Sequence, residues 1–72
     1  MLSFEPLFKT MEQKNITAYY LIEKLGFDRS TFYRIRKGTH ISTSSVIKLA
    51  RLLDCEIHEI IKYERVNSET DS

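Results

Sequence analysis

Apolar residues recur along the chain at intervals of three and four, and the only breakers inside that pattern are Pro6, Gly26 and Gly38. This spacing predicts helices joined by short turns. Phe4, Leu7, Phe8 and Met11 fall on one face of a first helix that Ser3 can cap, with Pro6 in its opening turn, where a missing N–H costs little. That helix runs to about Lys14. Asn15-Ile16-Thr17 reads as a turn ending in a capping Thr, after which Ala18, Leu21, Ile22 and Leu25 share one face and Gly26 supplies a left-handed stop. Asp28 caps a third helix that ends at Lys37, again before a glycine, and only Phe32 and Ile35 point inward from it. Ser42 caps a fourth helix with Val46, Leu49, Ala50 and Leu53 on its inner face, and after Asp54-Cys55 the residues Ile57, Ile60 and Ile61 mark a fifth. From Arg65 onward the chain is polar and aperiodic, as a frayed tail is. The expected fold is all-α and compact: five short helices, no strand, one domain over 1–64 and a flexible polar tail over 65–72.

Length limits what such a chain can enclose. Its 72 residues and 8.5 kDa allow one core and exclude a multidomain enzyme or a pocket between two lobes. With 42% apolar and 29% charged residues it is not a disordered chain. A domain of this size buries only about 60% of its unfolded surface, so short helices with short loops must concentrate the core. The longest apolar run, Tyr19-Tyr20-Leu21-Ile22, is far short of a bilayer span, and Glu5 with Pro6 spoils a signal-peptide reading, so a soluble cytoplasmic protein is expected. A single cysteine, Cys55, forms no internal disulfide.

Net charge is +1, yet its distribution is uneven: residues 1–13 carry −1, residues 14–40 carry +4 and residues 41–72 carry −2. Charge asymmetry of this kind bears on partners more than the sum does. The excess collects on the third helix. With Phe32 and Ile35 inward, the opposite side holds Arg29, Ser30, Tyr33, Arg34 and Lys37 and no carboxylate. A merely solvated helix usually interleaves acids with its cations, because opposite charges at i, i+4 stabilise it and like charges repel. DNA is suited to such a face: Arg pairs bidentately with guanine, and Ser and Tyr hydroxyls reach base edges or phosphates.

A helix, a tight glycine turn and a second helix of about ten residues match helix-turn-helix architecture, in which the second helix lies in the major groove. The stretch from Leu21 through Gly26-Phe27-Asp28-Arg29-Ser30-Thr31-Phe32 to Gly38 resembles the helix-turn-helix of the lambda-repressor/Cro-like transcriptional regulators, and Leu49-Ala50-Arg51-Leu52-Leu53-Asp54-Cys55-Glu56-Ile57 is similar to a later part of that family. The likeness covers roughly Glu5 to Tyr63. It implies that Arg29, Ser30 and Arg34 stand where the family reads bases, with Tyr33 beside them. The family often places a phosphate-binding Gln where this chain has Thr17 and Ala18, and Ala18 has no side chain for that contact. Tyr19, Tyr20 or the backbone N–H groups at that helix start can substitute. Ile22 replaces a usual small Ala, and its bulk can open the crossing of the two helices or shift its angle. Arg36, Lys37, Thr39, His40, Ser42 and Thr43 are the remaining candidate phosphate contacts, which position the protein without specifying sequence.

Other chemistry finds little support. Cys55 and His58 have C-x-x-H spacing, but His40 is the only other His and a structural zinc takes four Cys/His ligands, so no metal is expected and Cys55 reads as a small buried hydrophobe. A Cys–His nucleophile would need an orienting group and an oxyanion hole in a pocket this chain is too small to enclose; no enzyme activity, cofactor or small-molecule ligand is expected. His58 should be exposed, and Met11 and the Phe residues at helical spacing should be core. Tyr19 and Tyr20 are read equally well as half-buried rings at the domain edge. Ile47, Leu52 and Ile61 sit at the margins of the inner faces. Isolated exposed apolar residues are ordinary, but three on the last two helices can also form a self-association patch.

The expectation is thus a sequence-specific double-stranded DNA-binding regulator that represses by occupying an operator, reads the major groove with helix 28–37, and forms a weak homodimer through Ile47, Leu52 and Ile61 on a palindromic operator. The competing expectation is an antitoxin-like or assembly module that keeps the fold and grips another protein. The third-helix face separates them, since an interaction module has no reason to carry two Arg and a Lys there without an acid.

Overall fold

The computed structural model describes residues 2–65. Helix α1 spans Glu5–Gln13, with Phe4 at its N-cap position and Pro6 in its first turn. Ser3 helps the entry rather than capping the helix: its hydroxyl accepts from the Glu5 N–H at 3.2 Å. Lys14 closes the helix, and Asn15 takes a left-handed φ of 58° in the turn that follows. The Thr17 hydroxyl then accepts from the Tyr20 N–H at 3.0 Å, so the expected Thr cap forms.

The second helix departs from an ordinary α-helix. Over Tyr20–Lys24 it is π-helical, with the Leu25 N–H donating to the Tyr20 carbonyl at 3.0 Å. The widened turn falls on Ile22, which is half-buried against the core. Helix α2, Arg29–Lys37, and helix α3, Thr43–Leu53, begin at the expected caps Asp28 and Ser42, and Asp54 ends α3 in a left-handed conformation.

The expected fifth helix does not form. Ile57–Glu59 is one turn of 3-10 helix, after which Lys62–Tyr63 (β2) pairs antiparallel with Leu2–Ser3 (β1), so the expectation of no strand is also corrected. Apolar spacing at 57, 60 and 61 fits a helix, but other donors take the carbonyls that a longer helix would use. The Thr10 hydroxyl donates to the Glu59 carbonyl at 2.6 Å and the Leu7 N–H to the Ile60 carbonyl at 3.1 Å. The turn is thereby clamped onto α1, and the chain leaves it extended. Among the described residues the result is a mostly helical domain with four helices, counting the π-helical one, and one two-stranded ribbon.

Leu7, Met11, Leu21, Phe27, Phe32, Ile35, Val46, Leu49, Leu53 and Ile60 form the buried core. Phe27 was not expected there, because it lies in the Gly26–Asp28 turn, where helical periodicity gives no signal. Two expected core residues are only partly so. Phe8 is exposed, laid edge-on against Phe32 with ring centroids 6.3 Å apart, and Phe4 is half-buried. Cys55 is half-buried rather than buried. Of the polar tail expected over 65–72, all but Arg65 lies outside the described residues.

Thr10 is itself buried, so Thr10→Val keeps the shape of the side chain while depriving the Glu59 carbonyl of its donor. The expected cost is about 1–3 kcal/mol of stability, read from urea unfolding. An unchanged midpoint would show that the clamp lies elsewhere.

Candidate nucleic-acid interface

Helix α2 is fixed at both ends by its own sequence. At the start, Asp28 Oδ2 accepts from the Ser30 hydroxyl at 2.7 Å, the Thr31 hydroxyl at 2.7 Å and the Thr31 N–H at 2.9 Å. These bonds, with the Ser30 hydroxyl contributing most, lower the carboxyl from 3.8 to about 2. At the end, Gly38 has φ 81°, a left-handed cap that a residue with a Cβ adopts only with strain. The Thr39 N–H and hydroxyl both donate to the Arg34 carbonyl, at 2.9 and 3.0 Å. Thr31, Phe32 and Ile35 are buried beneath the helix, and the rest of it is exposed.

All four expected base-reading residues, Arg29, Ser30, Tyr33 and Arg34, are exposed on α2. They are not equivalent. Ser30 donates its hydroxyl hydrogen to Asp28, and Arg29 is paired through Nη2 with Glu23 Oε2 of the π-helical turn. The expectation of a face without carboxylates is therefore corrected: α2 carries none, but Glu23 reaches it from the preceding helix and Asp28 stands at its start. A sequence wheel drawn for one helix contains no term for a neighbour's side chain. Among the described residues, Arg34, Arg36 and Lys37 have no carboxylate partner within ion-pair distance.

The expected phosphate contacts divide in the same way. Thr17, Thr39 and Ser42 are engaged in local structure, Thr17 and Ser42 as helix caps and Thr39 on the Arg34 carbonyl. Lys37, His40, Thr43, Tyr19 and Tyr20 are exposed. Arg36 is exposed too, but with Arg29 and Tyr33 it lines a cleft of about 210 Å³ against Tyr19, Ile22 and Glu23, on the flank of α2 that meets the π-helical segment. Of the expected self-association patch, Ile47 is exposed, whereas Leu52 and Ile61 are half-buried against the core. Ile61 lines a second, more apolar groove with Leu2, Phe4, Ile41, Val46 and Ile57. Leu2, which the helical pattern did not single out, and Ile57, which it placed on a fifth helix, are both exposed apolar residues. His58 is exposed, and among the described residues no three His, Cys, Asp or Glu side chains are grouped to hold a metal ion. No helix of the described residues is long and apolar enough to cross a membrane.

A Thr-capped helix, a glycine turn and a capped helix with a cationic outer face are the parts of a helix-turn-helix. The Cro/C1-type helix-turn-helix DNA-binding domain model matches residues 7–65, and the chain belongs to that family. No curated protein matches the sequence. Among solved structures, the fold is similar to the crystal structure of the transcriptional regulator VanUg, form II, with a TM-score of 0.76 and 24% identity over 85% of this chain and 81% of that one.

Folding lowers the Asp28 carboxyl, so its stabilising effect is complete above the ordinary value of 3.8 and is lost as the pH falls toward about 2. Acid unfolding followed by helical circular dichroism is expected to show this loss. Asp28→Asn keeps a capping acceptor that does not titrate in this range and should flatten that part of the profile relative to the parent. Equal slopes in the two proteins would contradict the assignment.

Proposed function

We propose that this chain is a sequence-specific double-stranded DNA-binding regulator that represses by occupying an operator, with α2 in the major groove. The observation that carries the reading is the outer face of α2, where Arg34 and Lys37 stand exposed, without an ion-pair partner among the described residues, while the helix is capped at both ends. Rigid placement matters because base recognition by Arg is bidentate and directional. In this reading Arg29, Ser30, Tyr33 and Arg34 face base edges, and Tyr19, Tyr20, Arg36, Lys37, His40 and Thr43 face phosphates. Thr17, Thr39 and Ser42 act mainly by fixing the backbone that presents them. The domain occupies 1–64 with a polar tail over 65–72, acts in the cytoplasm, and performs no catalysis. One domain offers a single recognition helix, so a weak homodimer through Ile47, Leu52 and Ile61, spaced for half-sites about 34 Å apart on a palindromic operator, supplies the second.

The apolar groove formed by Leu2, Phe4, Ile41, Val46, Ile57 and Ile61 favours a second reading, an antitoxin-like or assembly module that binds protein. Salt dependence separates the two. On its preferred duplex, Arg34→Ala should cost about 1–3 kcal/mol and relax the preference at one base pair, and the parent dimer should show a log K against log[salt] slope of roughly −5 to −7. No loss in the variant, or a flat salt dependence, would overturn DNA reading through this face.

Sedimentation velocity at rising concentration, with and without that duplex, is expected to show a monomer that dimerises weakly alone and fully on DNA. One-to-one binding to an asymmetric site would refute the dimer.

A further inference from the structure

The ion pair between Glu23 and Arg29 joins the two halves of the helix-turn-helix at the end of α2 that would meet base edges. Both side chains are well exposed, 40% for Glu23 and 66% for Arg29, so solvent screens the pair and it adds little to stability. A carboxylate at this place also weakens attraction to every phosphate backbone, whatever the sequence. What the pair does accomplish is geometric. Arg29 is the first residue of α2, with a long flexible side chain and five N–H donors. With Nη2 bound to Glu23 Oε2, the guanidinium plane is held against the flank of the helix, beside Tyr33 and Arg36, and keeps its other donors for a partner.

We propose that Glu23 is a positioning residue that determines specificity: it presents the remaining donors of Arg29 to one guanine and withholds the guanidinium from phosphates. The inference rests on DNA reading by α2. A free arginine at this position would take the nearest phosphate oxygen as readily as a base, because both accept charge-assisted hydrogen bonds. A tethered one reaches a phosphate only by leaving its carboxylate. The cost falls on non-specific binding, while a guanine that fits the tethered geometry is bound without it. The carboxylate thus trades total affinity for discrimination. Its seat on the π-helical turn matters, because the widened turn sets the direction in which residue 23 points relative to α2.

The test measures fluorescence anisotropy of the full chain on the preferred duplex, selected from a random library, on each single base-pair variant of it, and on an unrelated duplex, over a range of salt. The proteins are the parent, Glu23→Gln, Arg29→Ala, their double variant and Arg34→Ala. Glu23→Gln is expected to lose about tenfold discrimination at one base pair, the pair that Arg29→Ala also affects, the size of one bidentate contact. It should bind the unrelated duplex more tightly, with a salt slope steeper by about one per subunit as the released guanidinium reaches a phosphate. The double variant should lose no more discrimination at that pair than Arg29→Ala alone, and Glu23→Gln should melt as the parent does. Unchanged discrimination and slope in Glu23→Gln would overturn the inference, as would a uniform loss on all sequences with no change of slope. Either result beside a clear loss of preference in Arg34→Ala leaves the DNA-reading assignment standing. A parent that prefers no duplex would overturn both.

Discussion

Three side chains, Thr31, Phe32 and Ile35, hold the helix that carries the cationic face. A nine-residue helix is too short to persist alone in water, and α2 is further burdened by Arg29, Arg34, Arg36 and Lys37, whose charges repel one another. Its stability is therefore borrowed from the ten-residue core into which Phe32 and Ile35 insert. The other elements can be understood as means of keeping that core closed. Helix α1 brings Leu7 and Met11 into the same core, and Phe8 lies edge-on against Phe32. The clamp from Thr10 and Leu7 to the Glu59–Ile60 backbone then ties the last turn of the chain to the first helix and buries Ile60.

Charge placement follows the same division. Lys62, a cation of the acidic last third of the chain, is paired with Glu5 at 2.8 Å and with Glu64 at 3.4 Å, next to the β1–β2 ribbon. Glu56 and Glu59 form a capping box on the 3-10 turn. Charges near the β1–β2 ribbon thus serve closure, while Arg34, Arg36 and Lys37 of α2 are left without an ion-pair partner among the described residues. This explains how a chain of net charge +1 presents a strongly cationic helix: opposite charges are sorted by location rather than cancelled in place.

What the sequence reveals and what it hides can be traced to particular residues. Asp28, Gly38, Ser42 and Thr17 act locally, within four residues along the chain, so the caps were legible, and with them both ends of α2 and the start of α3. The inward face of α3 and, apart from the buried Thr31, that of α2 were legible from helical spacing. Features that depend on contacts distant in sequence were not. The fate of Ile57–Ile61 is decided by Thr10, 49 residues before Glu59, and the ribbon pairs Leu2 with Tyr63. Phe27 is buried from a turn, and Glu23 enters the recognition surface from a neighbouring helix; neither is visible to a periodicity confined to one element.

The orientation of α2 answers the remaining difficulty, how a helix of like charges survives at all. Asp28 and Glu23 stand at its N-terminus, where the helix dipole is positive and favours anions. Arg34, Arg36 and Lys37 fall in the last turn, where the dipole is negative and the terminal carbonyls favour cations. Reversing the order would add dipole repulsion to the mutual repulsion of the cations. The arrangement therefore stabilises a cationic surface without neutralising it, with an N-terminal end whose arginine is held by a carboxylate and a C-terminal end whose cations the dipole favours. The helix is thereby capped, and its charges are placed in the sense its dipole favours, at both ends.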